Sequence, residues 1–366
     1  MSSKLKVGIL GGTGMVGQRL ITLLNNHPFF EVVSIAASGR SSNKKYIEAV
    51  ENRWKMTLPI PDRIKNIMVK DINNIEEISK EVDFVFCAVN MPKEEIKVIE
   101  EKYAKADIPV ISNNSAHRNT PDVPIIIPEI NLKHMEVINS QRERLGSKYG
   151  FIVTKPNCSI QSYVPAITPL MEFGPKQILV CTYQAVSGAG KTLAEWTEMN
   201  DNVIPFISGE EEKSEKEPLK IWGNIENGQV ISAVKPLITT QCLRVPVSDG
   251  HMAAVFASFE RKPSKEQMLE AWNNYKARPQ ELDLPNAPKN FITYMEEDNR
   301  PQTKLDRDLE NGMGISVGRL REDTMFDYKF VCLSHNTLRG AAGGAVLTAE
   351  LLKAEGYLVS RDTIKL

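Results

Sequence analysis

The sequence predicts an α/β protein whose first half forms a parallel β-sheet, followed by an α+β domain on a mixed, largely antiparallel sheet. Three observations support this fold class. The chain has 366 residues, which at about 150 residues per domain suggests two domains. Before about residue 150, continuous apolar segments alternate with helical ones, as in a parallel sheet covered on both faces. After that point, longer segments alternate between apolar and polar residues, and fewer helices separate them.

The strands and helices of the first half follow one another along the chain. Continuous apolar segments predict strands at residues 6–10, 32–36, 83–89, 109–112 and 151–154. Apolar residues recur at helical spacing from Val16 to Leu24, which predicts a helix directly after the first strand. The same periodicity predicts a second helix over residues 93–106.

The second half contains segments of a different character. Strict alternation predicts strands at residues 178–185, 251–259 and 326–333. The charged run EEEKSEKE at 210–217 is expected to be a solvated loop or the start of a helix. A helix is predicted over residues 338–353, where Gly343 and Gly344 allow close approach of another backbone.

Composition excludes several classes of protein. Lys and Arg number 45 against 46 Asp and Glu, which argues against a nucleic-acid partner. No apolar stretch reaches the roughly 18 residues of a membrane span, and the N-terminus lacks signal-peptide features. We therefore expect no membrane partner and a cytoplasmic location. The five cysteines and five histidines form no CxxC or HxxxH pair, so we expect reduced thiols and no metal site.

A glycine-rich turn joins the first predicted strand to the first predicted helix. Its glycines, Gly11, Gly14 and Gly17, recur at every third position. Glycine lets the backbone approach a pyrophosphate, and the helix N-terminus supplies free N–H groups and the positive end of a dipole. This context predicts a Rossmann-type domain that binds its cofactor through Gly11, Thr13, Gly14, Met15 and Val16.

The end of the second predicted strand indicates which dinucleotide binds. An NAD site usually has an acidic residue there for the ribose hydroxyls, but this chain has AASGRSS at 36–42. The hydroxyls of Ser38 and Ser41 and the guanidinium of Arg40 suit a 2′-phosphate. We therefore expect NADP(H) as the cofactor; the alternative is a polar surface loop.

Cys158 is set apart from the other cysteines by its position. It lies in KPNCS at 155–159, between a predicted strand and the start of a helix. A helix N-terminus lowers the pKa of a thiol, and its N–H groups stabilise an oxyanion. His251 opens a strand after the turn SDG and is the best placed histidine to serve as the base. Sequence alone does not show that the two meet, and a buried structural cysteine is the alternative.

Eight motifs, taken in order and spacing, resemble those of the aspartate-β-semialdehyde dehydrogenases, and more closely the branch shared by archaea and fungi. The resemblance runs from about residue 6 to residue 352, nearly the whole chain. The motifs are GGTGMVG (11–17), AASGRSSNKKY (36–46), NNSAHR (113–118), PNCS (156–159), QAVSGAGK (184–191), EPLK (217–220), CLRVPVSDGH (242–251) and NTLRGAAGGA (336–345).

The resemblance implies NADPH-dependent reduction of L-aspartyl-4-phosphate to L-aspartate 4-semialdehyde, or the phosphate-dependent reverse reaction. This step serves the biosynthesis of threonine, methionine, isoleucine and lysine. Cys158 would be the nucleophile that forms a thioester, with His251 as general acid and base. The other implied contacts are Gln184 with the acyl intermediate, Arg244 with the α-carboxylate, Glu217 with the amino group, Arg118, Asn157 and Lys220 with the phosphate, and Gly188 and Asn336 with the nicotinamide.

The resemblance also implies how the chain is organised. Residues 1–155 and 337–366 would form a discontinuous NADP-binding domain, and residues 156–336 a catalytic and dimerisation domain. The implied partners are a small-molecule substrate, inorganic phosphate and further copies of the chain, in a homodimer or homotetramer.

Four other functions compete with this interpretation. Malonyl-CoA reductases resemble the same branch but release CoA, and N-acetylglutamyl-phosphate reductases recognise a blocked amino group; Glu217, placed for a free amine, favours the aspartyl substrate. A non-catalytic NADP-binding regulator has no need of Cys158, His251 and Arg244 together. The segment SGAGKT at 187–192 resembles a phosphate-binding loop, but Ala185 stands where an NTPase needs glycine.

Overall fold

The computed structural model describes residues 4–39 and 41–363. Its first sheet has six strands, all parallel, in the order β3-β2-β1-β4-β5-β6. These strands are β1 (Leu5–Leu10), β2 (Phe30–Ala37), β3 (Val69–Asp71), β4 (Phe84–Cys87), β5 (Val110–Ser112) and β6 (Ile152–Thr154). The strand order is that of a doubly wound fold, which confirms the predicted Rossmann-type sheet.

Helices flank this sheet on both faces. Two of the α-helices are those that periodicity predicts, α1 directly after β1 and α5 before β5. The complete set is α1 (Met15–Leu23), α2 (Tyr46–Val50), α3 (Asp62–Lys65), α4 (Ile75–Ser79), α5 (Lys93–Lys105) and α6 (Ile138–Leu145), with 3-10 turns at Glu51–Arg53 and Leu132–Val137. Strand β3 and the helices α2 to α4 were not predicted, because elements of three to five residues are too short to show a periodicity.

The second sheet also has six strands, in the order β10-β7-β11-β14-β13-β12. The pairs β7–β11, β11–β14 and β13–β14 are antiparallel, whereas β7–β10 and β12–β13 are parallel. This confirms the expected mixed sheet. Its strands are β7 (Pro175–Gln184), β10 (Leu237–Arg244), β11 (His251–Phe259), β12 (Ile292–Met295), β13 (Ile315–Glu322) and β14 (Tyr328–Ser334), beside a separate hairpin of β8 (Asn224–Glu226) and β9 (Gln229–Ile231).

The charged run at 210–217 is helical rather than a loop, since it begins the helix α8. The later α-helices are α7 (Ile160–Ile167), α8 (Glu210–Ile221), α9 (Lys265–Asn273), α10 (Arg278–Glu281), α11 (Thr303–Asp306), α12 (Leu309–Gly312) and α13 (Gly343–Ala354). Further 3-10 turns are Thr168–Phe173, Val186–Ala189 and Thr197–Met199, and a π-helical turn, Leu338–Ala342, precedes α13. Among the described residues, no helix has both the length and the apolarity needed to cross a membrane.

The last helix packs on the first sheet although it is distant in sequence. Val346, Leu347 and Leu351 of α13 are fully buried in one apolar core with Ile9 of β1 and Phe86 of β4. Glycine is required at position 344, because a side chain there would lie 2.5 Å from the carbonyl oxygen of residue 339 in the preceding π-helical turn. The chain thus returns to its first sheet after completing the second.

The register of the second sheet brings polar residues to one edge. Arg244 and Gln184 are paired at the carboxyl ends of the parallel strands β10 and β7. His251 opens the antiparallel strand β11 and pairs with Ser334, the last residue of β14. Three strand ends and one strand start therefore meet at this edge, and it faces the loop that follows β6.

Candidate active site

Cys158 and His251 are in contact. The Sγ atom of Cys158 lies 3.4 Å from Nε2 of His251, although 93 residues separate them in sequence. Cys158 follows β6 and comes one residue before Ser159, the N-cap of α7. The thiol is half-buried, and the imidazole is fully buried. A thiol and an imidazole within hydrogen-bonding distance have the geometry of an activated nucleophile.

The tautomer of His251 follows from its second hydrogen bond. The backbone N–H of Ala185 donates to Nδ1 at 3.1 Å, so Nδ1 carries no proton. The ring proton of the neutral imidazole therefore lies on Nε2 and points at the sulfur. Burial, and next the positive charge of Arg244, lower the pKa of His251 to about 3. His251 is thus a neutral hydrogen-bond donor towards Cys158 at physiological pH.

The expected lowering of the Cys158 pKa is wrong for this geometry. Burial and the nearby carboxylate of Glu210 raise the thiol pKa to about 11, although the positive charges of Lys155, Arg118 and Arg244 oppose the shift. The helix dipole does not compensate, because α7 begins two residues later, at Ile160, and the N–H of residue 159 already donates to Asn157. The thiol, not the thiolate, is the resting form.

Glu210 belongs to the site and was not predicted. Its carboxylate accepts two contacts from Nδ2 of Asn157, at 3.1 and 3.0 Å, and one from Nε2 of Gln184 at 3.4 Å. Lys213 on the next helical turn pairs with it at 2.7 Å. The spacing of Glu210, Ser214 and Glu217 in the sequence places them on one face of a helix, which could have indicated a shared site. In the structure all three are buried.

Arg118 and Glu217 form a buried ion pair beneath the nucleophile loop. Nη1 of Arg118 lies 2.8 Å from one oxygen of Glu217, whose other oxygen accepts the backbone N–H of Asn157 at 2.7 Å. Arg118 also donates to the backbone carbonyl of Lys155 at 3.0 Å and to that of Asn113 at 3.3 Å. The pair holds the loop that carries Cys158, and both carboxylate oxygens of Glu217 already have protein partners.

Lys220 and Asn157 have little capacity left for a phosphate. The ammonium of Lys220 donates to the backbone carbonyls of Arg118, Thr120 and Val123 at 2.7–2.8 Å, which uses all three of its protons. The side-chain oxygen of Asn157 accepts from the N–H and hydroxyl of Ser159. Both side chains thus have structural partners in this geometry, and their direct contact with phosphate stays a prediction.

Arg244 and His251 lie against the 3-10 turn at 186–189. Nη1 of Arg244 donates to the carbonyl of Ala185 at 2.7 Å. A Cβ atom at Gly188 would lie 2.9 Å from that nitrogen and 3.0 Å from Nε2 of His251. Gly188 therefore lets the turn approach both functional side chains closely. Asn336 fixes the same region, because it donates to Ser187 at 2.9 Å and accepts the N–H of Gly250 at 2.8 Å.

The glycine turn has the geometry that a pyrophosphate needs. Gly11 has φ +86°, and a side chain there would lie 2.4 Å from the carbonyl oxygen of Ala88. A side chain at Gly17 would lie 2.4 Å from the carbonyl oxygen of Gly11. Gly14 is the N-cap of α1 and forms no side-chain cap, so the first N–H groups of the helix face outward without a side-chain acceptor.

The loop after β2 lies beside a cation that the sequence did not single out. The backbone N–H of Ser41 donates to the carbonyl of Ser38 at 3.0 Å, and Nη2 of Arg53 lies 3.5 Å from the hydroxyl of Ser41. Arg40 lies outside the described residues. Arg53 comes from the turn after α2 and was missed because nothing in its local sequence marks it.

One cavity of about 240 Å³ contains both groups of candidate residues, and we call it the catalytic cavity. Met15 and Val16 from the glycine turn line one part, and Gly188 and Asn336 another. Cys158, Arg118, Lys155 and Asn113 complete the lining. Both side-chain amide atoms of Asn113 are buried and have no hydrogen-bond partner among the described residues. The first sheet's nucleotide turn and the second sheet's polar edge therefore meet at one site.

Two family models match the chain. The model described as the semialdehyde dehydrogenase NAD binding domain matches residues 6–138, and the one described as the semialdehyde dehydrogenase dimerisation domain matches residues 167–339. Together they cover more than half of the sequence.

Curated relatives and a solved structure match over nearly the full length. An aspartate-semialdehyde dehydrogenase from Archaeoglobus fulgidus is 43% identical, over 95% of this chain and 98% of the relative. The enzyme of the same name from Saccharomyces cerevisiae is 39% identical, over 98% of this chain and 100% of its own. The crystal structure of aspartate semialdehyde dehydrogenase with NADP from Candida albicans superimposes with a TM-score of 0.86 and 36% identity, over 97% and 100% of the two chains.

Proposed function

The chain belongs to the aspartate-semialdehyde dehydrogenase family, and we propose that it reduces L-aspartyl-4-phosphate to L-aspartate 4-semialdehyde with NADPH. The reverse reaction is the phosphate-dependent oxidation of the semialdehyde. The observation that carries the proposal is the contact of Cys158 with His251 in the same cavity as the glycine turn of α1. We place the reaction in the biosynthesis of threonine, methionine, isoleucine and lysine, in the cytoplasm.

The first chemical step forms a thioester on Cys158. The sulfur bonds to the acyl carbon, the bond from that carbon to the phosphate oxygen breaks, and the thiol proton leaves on hydrogen phosphate. A thiol serves here because a thioester accepts hydride where a carboxylate does not. The nicotinamide, when bound, supplies that hydride.

His251 then stabilises the charge that develops on the substrate oxygen. Its Nε2–H, held in that tautomer by Ala185, donates a hydrogen bond to the oxygen, which gains negative charge as the thioester carbon is reduced. When this tetrahedral intermediate collapses, the carbon–sulfur bond breaks and the sulfur leaves as a thiolate. A solvent proton then regenerates the thiol, so atoms and charge balance.

Charge decides how the substrate is oriented. We propose that Arg244 binds the α-carboxylate, and that Gln184, which donates to Glu210 at 3.4 Å, orients the acyl group. For the free ammonium group, Glu210 is better suited than Glu217. Both oxygens of Glu217 hold the nucleophile loop, whereas the Glu210 carboxylate acts on the Cys158 thiol itself.

The residues of the glycine turn fit a dinucleotide. The uncapped N-terminus of α1 and the space at Gly11 suit a pyrophosphate. The contacts proposed here are those of Gly11, Thr13, Gly14, Met15 and Val16 with the pyrophosphate half, and of Gly188 and Asn336 with the nicotinamide half. We propose that Ser38, Arg40 and Ser41 bind the 2′-phosphate, together with Arg53, which lies beside Ser41. Residues 36–42 include no acidic side chain that would repel this phosphate.

The assembly follows from the second domain. We propose that the chain forms a homodimer through the residues that match the dimerisation model, with a tetramer as a further association. We also propose a discontinuous NADP-binding domain of residues 1–155 and 337–366 beside a catalytic domain of 156–336. The burial of α13 in the core of the first sheet supports that division.

The test is an assay of NADP⁺ reduction with L-aspartate 4-semialdehyde, with and without inorganic phosphate. We expect phosphate-dependent turnover that Cys158→Ala abolishes. Cys181→Ala is the matched control, because Cys181 is also half-buried but lies on β7 away from His251. Turnover of the Cys158→Ala protein equal to wild type would exclude the thioester mechanism. A clear preference for malonyl-CoA over aspartyl phosphate in the reductive direction would replace the substrate assignment.

A further inference from the structure

A short π-helical turn lies directly against the nucleophile. The turn, Leu338–Ala342, leads from β14 to α13, and its residue Gly340 faces Cys158. A Cβ atom at Gly340 would lie 3.0 Å from Cβ of Cys158 and 3.4 Å from its Cα. Gly340 and Cys158 both line the catalytic cavity. The backbone of the turn therefore limits the space beside the nucleophile, and no side chain fits there.

The hydrogen bonds of the turn decide which of its residues faces the nucleophile. The backbone N–H of Gly340 donates to the carbonyl of His335 at 2.9 Å, and that of Ala342 to the carbonyl of Thr337 at 3.1 Å. Both bonds span five residues, whereas those of an α-helix span four. A change to α-helical bonds would rotate the turn, and its other four residues all carry a Cβ atom. The π-helical form is thus the one that presents a glycine to the nucleophile.

A buried ion pair holds this turn. Arg339 is buried, and its Nη1 and Nη2 atoms donate to the two carboxylate oxygens of Glu129 at 2.9 and 2.7 Å. Nε and Nη2 also donate to the backbone carbonyl of Met313, at 2.9 and 2.7 Å. The guanidinium carbon lies 5.0 Å from the ring centre of Phe291. One side chain of the turn is thereby fixed by three other segments of the chain.

The ion pair lies outside the catalytic cavity. Arg339 and Glu129 are not among the described residues that line it. A buried ion pair adds little stability over apolar residues of similar volume, and its best-attested role is to specify one arrangement of the chain. The guanidinium can reach Glu129 and Met313 together from one position only, because its donors are rigidly spaced. The pair therefore suits the selection of one backbone form of the turn.

We infer that Arg339 and Glu129 are positioning residues that keep the turn π-helical and thereby fix the sulfur of Cys158, 3.4 Å from Nε2 of His251. The inference rests on the proposed function, because it concerns the geometry of the same nucleophile. When the turn is released, a Cβ atom presses on Cys158, and the sulfur moves from its place beside the imidazole. A displacement of about 1 Å costs on the order of 100-fold in rate.

The test replaces both members of the pair, in Arg339→Met/Glu129→Met, because removing one charge alone would leave the other buried without a partner. We expect the melting temperature to stay close to that of the wild type. The kcat of phosphate-dependent semialdehyde oxidation should fall about 10- to 100-fold. The KM values for the semialdehyde and for phosphate should stay near those of the wild type, because the pair does not line the cavity.

Glu350→Gln is the matched control. Glu350 is a fully buried carboxylate of α13 that pairs with His27 at 2.8 Å, and neither residue lines the catalytic cavity. This variant should lower the melting temperature and leave kcat unchanged, because it weakens a buried pair that does not hold the π-helical turn. The two variants thus separate a general loss of stability from a loss of position.

Hydrogen exchange measures the turn without turnover. In the double variant, exchange should be faster in a peptide that covers residues 338–342 and unchanged in one that covers residues 346–354 of α13. Wild-type kcat in the folded double variant would overturn the inference. A loss of kcat with unchanged exchange of the turn, or with equal acceleration in both peptides, would overturn it as well. If the double variant does not fold, Arg339→Lys, which keeps the charge but not the planar fork, is measured by the same readouts.

The failure of this inference is distinct from a failure of the proposed function. A wild-type protein without phosphate-dependent turnover of the semialdehyde contradicts the proposed function, whatever the exchange of the turn. A wild-type protein with that turnover, whose kcat does not depend on Arg339 and Glu129, contradicts only the positioning role inferred for the pair.

Discussion

The backbone N–H of Ala185 donates to Nδ1 of His251 at 3.1 Å and thereby directs the Nε2 proton of the ring at Cys158. Because the ring is fully buried beside a positive guanidinium, its pKa falls to about 3. The folded protein therefore holds His251 neutral over the whole physiological range.

This burial predicts a pH dependence of stability. An unfolded histidine has a pKa of about 6.5, so between that value and about 3 the unfolded chain binds a proton that the folded site does not. Stability is thus lost as the pH falls through this window. The wild type should lose up to about 1.4 kcal/mol per pH unit more than His251→Asn, whose amide oxygen still accepts from Ala185.

Urea unfolding of both proteins at about pH 7 and about pH 5 measures that difference. Other buried histidines are present in both proteins and cancel in the comparison. Equal slopes of unfolding free energy against pH for the two proteins would show that His251 is not held neutral by the fold.

The carboxylate of Glu210 predicts slow alkylation of Cys158. Burial and this negative charge raise the thiol pKa to about 11, so the thiolate fraction at neutral pH is small. Glu210→Gln removes the charge but keeps a hydrogen-bonding group of the same size. We expect iodoacetamide to alkylate Cys158 roughly several-fold faster, because a lower thiol pKa raises the thiolate fraction; mass spectrometry of the labelled peptide measures the rate.

Glu212→Gln is the matched control for that experiment, because Glu212 lies on the same helix and is exposed. Its alkylation rate should equal that of the wild type. A rate in Glu210→Gln no faster than in the control would mean that the carboxylate does not govern the thiol.

We expect that position 188 tolerates only glycine. A Cβ atom would lie 2.9 Å from Nη1 of Arg244 and 3.0 Å from Nε2 of His251. Gly188→Ala must therefore displace one of them, and a displacement of about 1 Å costs on the order of 100-fold in rate. Steady-state kinetics should show this loss in kcat/KM, with a melting temperature close to that of the wild type. Wild-type kinetics would show that the turn at 186–189 moves freely.

We expect two arginines to give the enzyme its preference for NADPH over NADH. Arg53 stands beside the hydroxyl of Ser41, and Arg40 is in the same loop by sequence. Removing a guanidinium that pairs with a 2′-phosphate costs about 1.5–3 kcal/mol. Arg53→Ala and Arg40→Ala should each weaken NADPH binding and leave NADH binding unchanged, as measured by titration of nicotinamide fluorescence. A loss shared equally by both cofactors would assign these residues to the fold of the loop.

Local sequence was sufficient for features that depend on neighbouring residues. The glycine turn between β1 and α1 was predictable because glycine spacing, a strand and a helix all lie within 20 residues. The alternation of β7 and β11 was visible for the same reason. For α8, the charged run indicated the start of a helix or a loop. It did not indicate that Glu210 and Ser214 lie on the buried face of that helix.

Contacts across the chain were decided by tertiary structure. The sequence alone determined a parallel nucleotide-binding sheet, a mixed second sheet and a set of polar residues suited to one chemistry. Which of them meet depends on strand register, which pairs Arg244 with Gln184 and opens β11 at His251. The fold also decides the hydrogen bonds of buried lysines: Lys155 donates to one backbone carbonyl and Lys220 to three. Burial and distant charges set the Cys158 pKa, and neither can be read from the residues beside it.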